Sequence, residues 1–156
     1  VWLMANCNFC ISTSTGFDQI SRVFKRPILF INHLPIADWS SHFKSLTHPK
    51  LLFNVKKKRY LSFKEYIQHS YYRKKQYDQN FIKIIELNNR RVLNCIKEFL
   101  ILLNANWKIP KKKRILQTKC NNMYKKYLSI YHPNINFHKN IHKHALFSFN
   151  FLKQTI

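Results

Sequence analysis

The sequence predicts an α/β fold, a small parallel sheet with extra helices toward the carboxyl end. Three observations predict it. The apolar run Phe9-Cys10-Ile11 is followed by a hydroxyl-rich turn, a helical pattern and a second apolar run, Ile28-Leu29-Phe30-Ile31. That is the order of a β-α-β unit, which makes two parallel strands joined by a right-handed crossover. Helical periodicity then governs much of the second half. The 156 residues are 46% apolar and 15% aromatic, ample for the core of one domain.

Taken in order, Val1 to Asn6 reads as the tail of a helix already under way. The chain opens on Val1, so it is read as the carboxyl-terminal piece of a longer chain. Residues 8–12 form the first strand, 16–25 a helix and 27–31 the second strand. Ile20, Val23 and Phe24 lie on one face of that helix, and Pro27 opens the strand. Between strand and helix stand Ser12, Thr13, Ser14, Thr15 and Gly16. Gly16 is the chain's single glycine, where an average chain of this size carries roughly ten. Backbone geometry is the reason to keep one there. Two readings of the turn stand side by side. Hydroxyls, a side-chain-free residue and the free N–H groups of a helix start form a phosphate cradle. Equally, Ser14 or Thr15 simply caps the helix.

Ligands of parallel sheets lie beyond the carboxyl ends of the strands. The Ser12–Gly16 turn and Asn32-His33-Leu34-Pro35 should therefore face one another. His33 is the candidate general acid-base, because its ordinary pKa suits proton transfer near neutrality; a structural histidine is the alternative. Residues 36–54, with Asp38-Trp39-Ser40-Ser41-His42-Phe43 and His48-Pro49, read as a long loop over the crevice. Trp39 or Phe43 then either stacks a base and covers the sugar, or anchors the loop by packing.

Lys56-Lys57-Lys58-Arg59 is a solvated turn or a patch for phosphate or a membrane surface. Ser62-Phe63-Lys64-Glu65 is a capping box opening a helix over 63–78. Phe81 to Leu87 reads as a third strand. Asn88 or Asn89 caps a helix over 90–104 whose apolar face carries Val92, Ile96, Phe99 and Leu103. Pro110 starts a helix running from Lys111 to Tyr131, with Ile115, Leu116, Met123, Tyr127 and Leu128 as its stripe. Lys111-Lys112-Lys113-Arg114, Lys119, Lys125 and Lys126 make it strongly basic. Such a helix packs on the domain or lies on an anionic membrane. His132-Pro133-Asn134 ends it, and residues 141–154 close the chain as a short helix.

The formal charge is +22, from 28 Lys and Arg against six acids. A field this positive attracts polyanions: nucleotide diphosphates, lipid headgroups or nucleic acid. Cys7-x-x-Cys10 leads into a strand rather than a helix and has no second pair, so Cys7, Cys10, Cys95 and Cys120 read as reduced thiols of a cytoplasmic protein. His138 and His142, with His144, lack a nearby acid or cysteine and make no complete metal site. No run of 18 apolar residues occurs.

Ser12-Thr13-Ser14-Thr15-Gly16, the interval to Pro27, and Ile28-Leu29-Phe30-Ile31-Asn32 resemble the nucleotide-sugar half of GT-B glycosyltransferases. The layout is that of the Asp-Ser-Gly-Gly turn of the UDP-N-acetylglucosamine 2-epimerase type. The run from Trp2 through Asn32 and Pro35 resembles more closely a family of bacterial glycosyltransferases linked to surface-polysaccharide synthesis. The resemblance is strong over about residues 1–40, weaker through Ser62–Ile67 to Trp107, and faint beyond residue 110. Thr15 departs from it where the turn has its first glycine, and Gln19 stands where the turn has an acid for ribose contact, with Asp18 adjacent.

The resemblance implies a Rossmann-like half of a GT-B fold, with residues 1–108 binding the donor and 109–156 a basic helical extension packed on it. It implies a nucleotide-sugar donor, a glycan or lipid-linked acceptor, and an amino-terminal domain of the same enzyme. It implies no cofactor and no bound metal. Donor contacts would come from Ser12, Thr13, Ser14, Thr15, Gly16, Asp18, Gln19 and Asn32, with His33 as the catalytic candidate. The protein would sit in the cytoplasm, peripherally at the inner membrane face. A basic nucleic-acid-binding module and an inactive remnant of a longer enzyme are the alternatives.

Overall fold

The computed structural model describes residues 1–41, 43–135 and 140–156; His42 and residues 136–139, His138 among them, lie outside the described residues. The elements are α1 (Trp2–Asn6), β1 (Cys10–Ser12), α2 (Asp18–Val23), β2 (Ile28–His33), a 3-10 turn (Ile36–Asp38), β3 (Ser45–Pro49), β4 (Leu51–Asn54) and β5 (Arg59–Tyr60). They continue with α3 (Phe63–Gln68), α4 (Lys74–Gln79), β6 (Ile82–Ile85), α5 (Asn89–Asn104), α6 (Lys111–Tyr131), β7 (Ala145–Phe147) and α7 (Phe149–Thr155).

A four-stranded parallel sheet in the order β1-β2-β3-β7 forms the centre. Strands β3 and β7 are buried along their whole length and β2 over Ile28–Phe30, so they read as buried runs rather than alternating ones. Side chains still alternate between two cores. Ala145 and Phe147 join the cluster of Trp39, Phe63, Tyr66, Tyr124 and Phe151. Leu146, with Leu29 and Leu46, joins Cys95, Phe99 and Trp107 on the α5 side. This mixed α/β architecture is compatible with a Rossmann-like fold.

The β1-α2-β2 unit matches the sequence expectation, with Cys10 opposite Ile28 and Ser12 opposite Phe30. Four other expectations need correction. The supposed loop over 36–54 holds two strands. β3 went unseen because it buries polar side chains, Ser45, Thr47 and His48, where an apolar run is the usual signal. The helix over 63–78 breaks into α3 and α4, because Tyr71 N–H turns away to the Tyr77 hydroxyl at 3.2 Å. Residues 82–85 do form a strand, but it pairs antiparallel with β4 in a separate three-stranded sheet, β5-β4-β6. Finally, residues 145–147 are the fourth strand of the parallel sheet, and only 149–155 are helical. The segment 109–156 is therefore no extension laid on a finished domain, since it supplies β7.

The stripe of α6 departs from expectation only at Ile115, which is exposed: Leu116, Met123, Tyr127 and Leu128 pack on the core, and Gln117, Cys120 and Tyr124 face inward with them. The Tyr124 hydroxyl reaches the carbonyls of Ile36 and Ala37 at 3.0 and 3.1 Å, tying α6 to the 3-10 turn. Glu98 on α5 accepts from the Ser148 hydroxyl at 3.1 Å and from Phe149 N–H at 3.0 Å, and so caps α7 from a neighbouring helix. Among the described residues no helix is long and apolar enough to cross a membrane.

The capping box is present as expected. Ser62 Oγ accepts from Glu65 N–H at 3.5 Å, and Glu65 Oε2 accepts from Ser62 N–H at 2.9 Å. Arg59 grips both Glu65 oxygens at 2.7 and 2.8 Å, and holds its carboxyl well below the usual carboxylate range. Ser62→Ala is expected to destabilise the fold by about 1 kcal/mol. Urea denaturation at neutral pH measures it.

Candidate functional site

The turn after β1 closes on itself. Ser14 N–H donates to Ser12 Oγ at 2.9 Å. Ser12 Oγ in turn donates to Asp18 Oδ1 at 3.1 Å, and Gly16 N–H reaches the same oxygen at 3.1 Å. Such a path needs left-handed backbone at Ser14 (φ 67°) and Gly16 (φ 90°). A Cβ on Gly16 would meet nothing within 4 Å, so the glycine is there for its φ and not for space. Gly16→Ala should therefore cost about 1 kcal/mol through backbone strain alone, read from the shift of the thermal midpoint.

This geometry corrects the phosphate-cradle reading. The amides of Ser14 and Gly16 are taken by Ser12 and Asp18, and a carboxylate sits where a diphosphate's charge would lie. The helix behind them, α2, has only six residues. What the turn does offer is a cleft of about 340 Å³, lined by Ser12, Thr13, Thr15 and Asp18 with Ile11 and Phe17. Asp18 is 2% exposed, and its Oδ2 has no partner among the described residues. The arrangement suits hydroxyl groups rather than phosphate. Gln19 does not reach the cleft. It is exposed, and its side chain pairs with Arg22 on the outside of α2.

Two residues of the second loop are also placed otherwise than expected. Asn32 adopts φ 55°, which asparagine tolerates. Its Oδ1 accepts from Leu87 N–H at 2.9 Å, so it pins the segment that leads into α5. His33 is 2% exposed, and neither ring nitrogen has a partner among the described residues. Burial lowers its pKa from 6.5 to about 4, against the opposing pull of the Asp38 and Asp18 carboxylates. A neutral ring sealed from solvent cannot exchange protons with a substrate, so the acid-base assignment is withdrawn. Trp39 is fully buried between Tyr124 and Phe147 and is no lid.

Nor do the described residues bring together three or more His, Cys, Asp or Glu side chains in a way that could hold a metal ion. His142 and His144 lie edge to face with centroids 5.4 Å apart, and His138 lies outside the described residues.

A further cleft, lined by polar residues alone, was not expected from the sequence. It measures about 450 Å³ and lies where β3 ends, between the first turns of α5 and the outer side of α7. Arg90 and Arg91, two and three residues after the Asn88 cap, were the available signal: cations are unfavourable at a helix start. Comparison of the chain with protein-family models, with curated proteins and with solved structures finds no match.

Proposed function

We propose that this chain is the donor-binding half of a GT-B-type glycosyltransferase, taking a nucleotide sugar for transfer to a glycan or lipid-linked acceptor in cell-surface polysaccharide synthesis. One observation carries the reading: at the carboxyl edge of two parallel strands, Asp18, whose Oδ2 has no partner among the described residues, lines one cleft with Ser12, Thr13 and Thr15. A buried acceptor without a donor costs about 1–3 kcal/mol, which a ribose or sugar hydroxyl would restore. Asp18, one position before Gln19, then does the work of the acid in the resembled turn. The turn selects the hydroxyl-bearing part of the donor and leaves the diphosphate to other groups.

Isothermal titration calorimetry with uridine, guanosine and cytidine diphosphates and their sugars tests this. One of them is expected to bind. Asp18→Asn keeps an oxygen for Ser12 and Gly16, so the turn should hold while affinity falls about tenfold or more. Binding by none of the six, or an unchanged affinity in Asp18→Asn, would overturn the reading.

A second reading, contact with an anionic membrane surface, is favoured by α6. Lys111, Lys112, Arg114, Lys119, Lys125 and Lys126 are exposed, two isoleucines, Ile115 and Ile130, are exposed with them, and the helix has no acid. Sedimentation with phosphatidylserine vesicles should then occur at low salt and be lost on adding salt to about 0.5 M. A Lys119→Glu, Lys126→Glu variant that still sediments would exclude this contact.

A further inference from the structure

We infer that the cleft between α5 and α7 is a binding site for a small phosphorylated polyol, a sugar phosphate or a mononucleotide. It shares no lining residue with the Ser12–Asp18 cleft and stands independently of the donor reading.

The wall is cationic against the interest of the helix. Arg90 and Arg91 occupy the first turn of the sixteen-residue α5, at the positive end of its dipole. Neither has a carboxylate partner among the described ion pairs. Among the described residues Arg91 Nη1 donates to the neutral Gln154 Oε1, at 3.0 Å. Two guanidiniums beside a helix start are a costly arrangement for an empty surface and a favourable one for a phosphate.

The floor is a different kind of group. His48, at the end of β3, is 1% exposed. Its Nδ1 lies 2.9 Å from the Pro49 carbonyl, which can only accept, so the proton is on Nδ1. Nε2 therefore presents a lone pair, and it has no partner among the described residues. An imidazole acceptor set this deep calls for an O–H donor, which a sugar hydroxyl supplies while the phosphate it carries meets the arginines, two sites that one small phosphate ion cannot fill together. The amides of Asn150 and Gln154 on α7 complete the opposite wall with groups that both donate and accept. About 450 Å³ falls within the range of small-molecule sites. The pair of arginines rules out a metal cation, and the polar floor rules out an apolar ligand.

The test uses the whole chain and four probes: inorganic phosphate, ribose 5-phosphate, uridine monophosphate and unphosphorylated ribose. Binding is followed by calorimetry and by the ring signals of His48 in nuclear magnetic resonance. Ribose 5-phosphate or the nucleotide is expected to bind at least tenfold more tightly than inorganic phosphate and to move the His48 signals, while ribose does neither. Arg90→Gln with Arg91→Gln should weaken binding at least tenfold. The pair is expected to fold at least as stably as the parent, since it relieves repulsion at the helix start. Asp18→Asn should leave this binding unchanged, which separates failure here from failure at the other cleft. Equal affinity for inorganic phosphate and ribose 5-phosphate, an unmoved His48, or undiminished binding by the double variant would each overturn the site.

Discussion

The free energy of unfolding is expected to fall steeply between pH 6.5 and pH 4, by about 6 kcal/mol in all. Two buried histidines carry most of it, with smaller parts from His69, His142 and His144, whose pKa values burial also lowers. His33 and His48 are 2% and 1% exposed, and burial lowers each from 6.5 to about 4. In the unfolded chain both take up a proton near pH 6.5, while in the folded chain both stay neutral down to about pH 4. Their stabilising effect is therefore complete above pH 6.5. It is lost as pH falls through the window, because the unfolded state binds protons that the folded state refuses. Each contributes about 3 kcal/mol over that interval at about 1.4 kcal/mol per pH unit. A domain with about 5–15 kcal/mol of stability loses much of it this way.

Carboxylates give little of this acid response, since the chain has only six. The most strongly held, Glu65, begins to lose its contribution only near pH 4.5, at the foot of the window, because Arg59 holds its carboxyl low in the folded chain. Urea denaturation at half-unit pH steps measures the slope, and His33→Leu should remove about half of it. A flat profile from pH 6.5 to 4.5, or a slope unchanged in His33→Leu, would show that these rings are not held neutral in the folded chain.

What the sequence revealed, and what it hid, divides along one physical line. Patterns that depend on neighbours in the chain were legible. The β1-α2-β2 unit follows from apolar runs either side of a helical repeat. The Ser62 and Asn88 caps follow from side chains that bond backbone three residues on. The inward face of α5 follows from Val92, Ile96, Phe99 and Leu103 at helical spacing. Elements that exist only because of distant partners were hidden. β3 is Ser-Leu-Thr-His-Pro, a strand only because β2 and β7 lie on either side. β7 is three residues that a helical reading absorbs without conflict.

The candidate site shows the same divide. Ser12, Thr13, Thr15 and Asp18 do converge at the carboxyl edge, as adjacency along the chain implied. No pattern foretold that the Asp18 carboxylate folds back onto Ser12 and Gly16 and so reverses the charge of the turn. Asn32 likewise spends its side chain on Leu87, 55 residues away, which no local signal announces. The cleft at Arg90 and Arg91 joins β3, α5 and α7, three elements of which two were misread.

Trp39 puts that divide to a quantitative test, because lid and core make opposite forecasts. Its ring has no exposed surface; its centroid lies 4.4 Å from that of Phe147 and 5.1 Å, edge to face, from that of Tyr124. Tyr124 is itself anchored to the carbonyls just before Trp39 in the chain. Trp39→Ala removes the largest fully buried side chain from the junction of β7, α6 and the 3-10 turn, and should cost about 3–5 kcal/mol.

Trp39→Phe should cost far less, under about 2 kcal/mol. The indole N–H has no partner among the described residues, so only volume is lost and a buried unpaired donor goes with it. Circular dichroism with urea unfolding reads both variants, and the remaining indoles of Trp2 and Trp107 still report the transition by fluorescence. A lid would show no such order: Trp39→Ala would leave the unfolding midpoint in place and Trp39→Phe would be as harmless as alanine. A midpoint in Trp39→Ala within about 0.5 kcal/mol of the parent would return the tryptophan to the surface and remove the aromatic core on which β7 is seated.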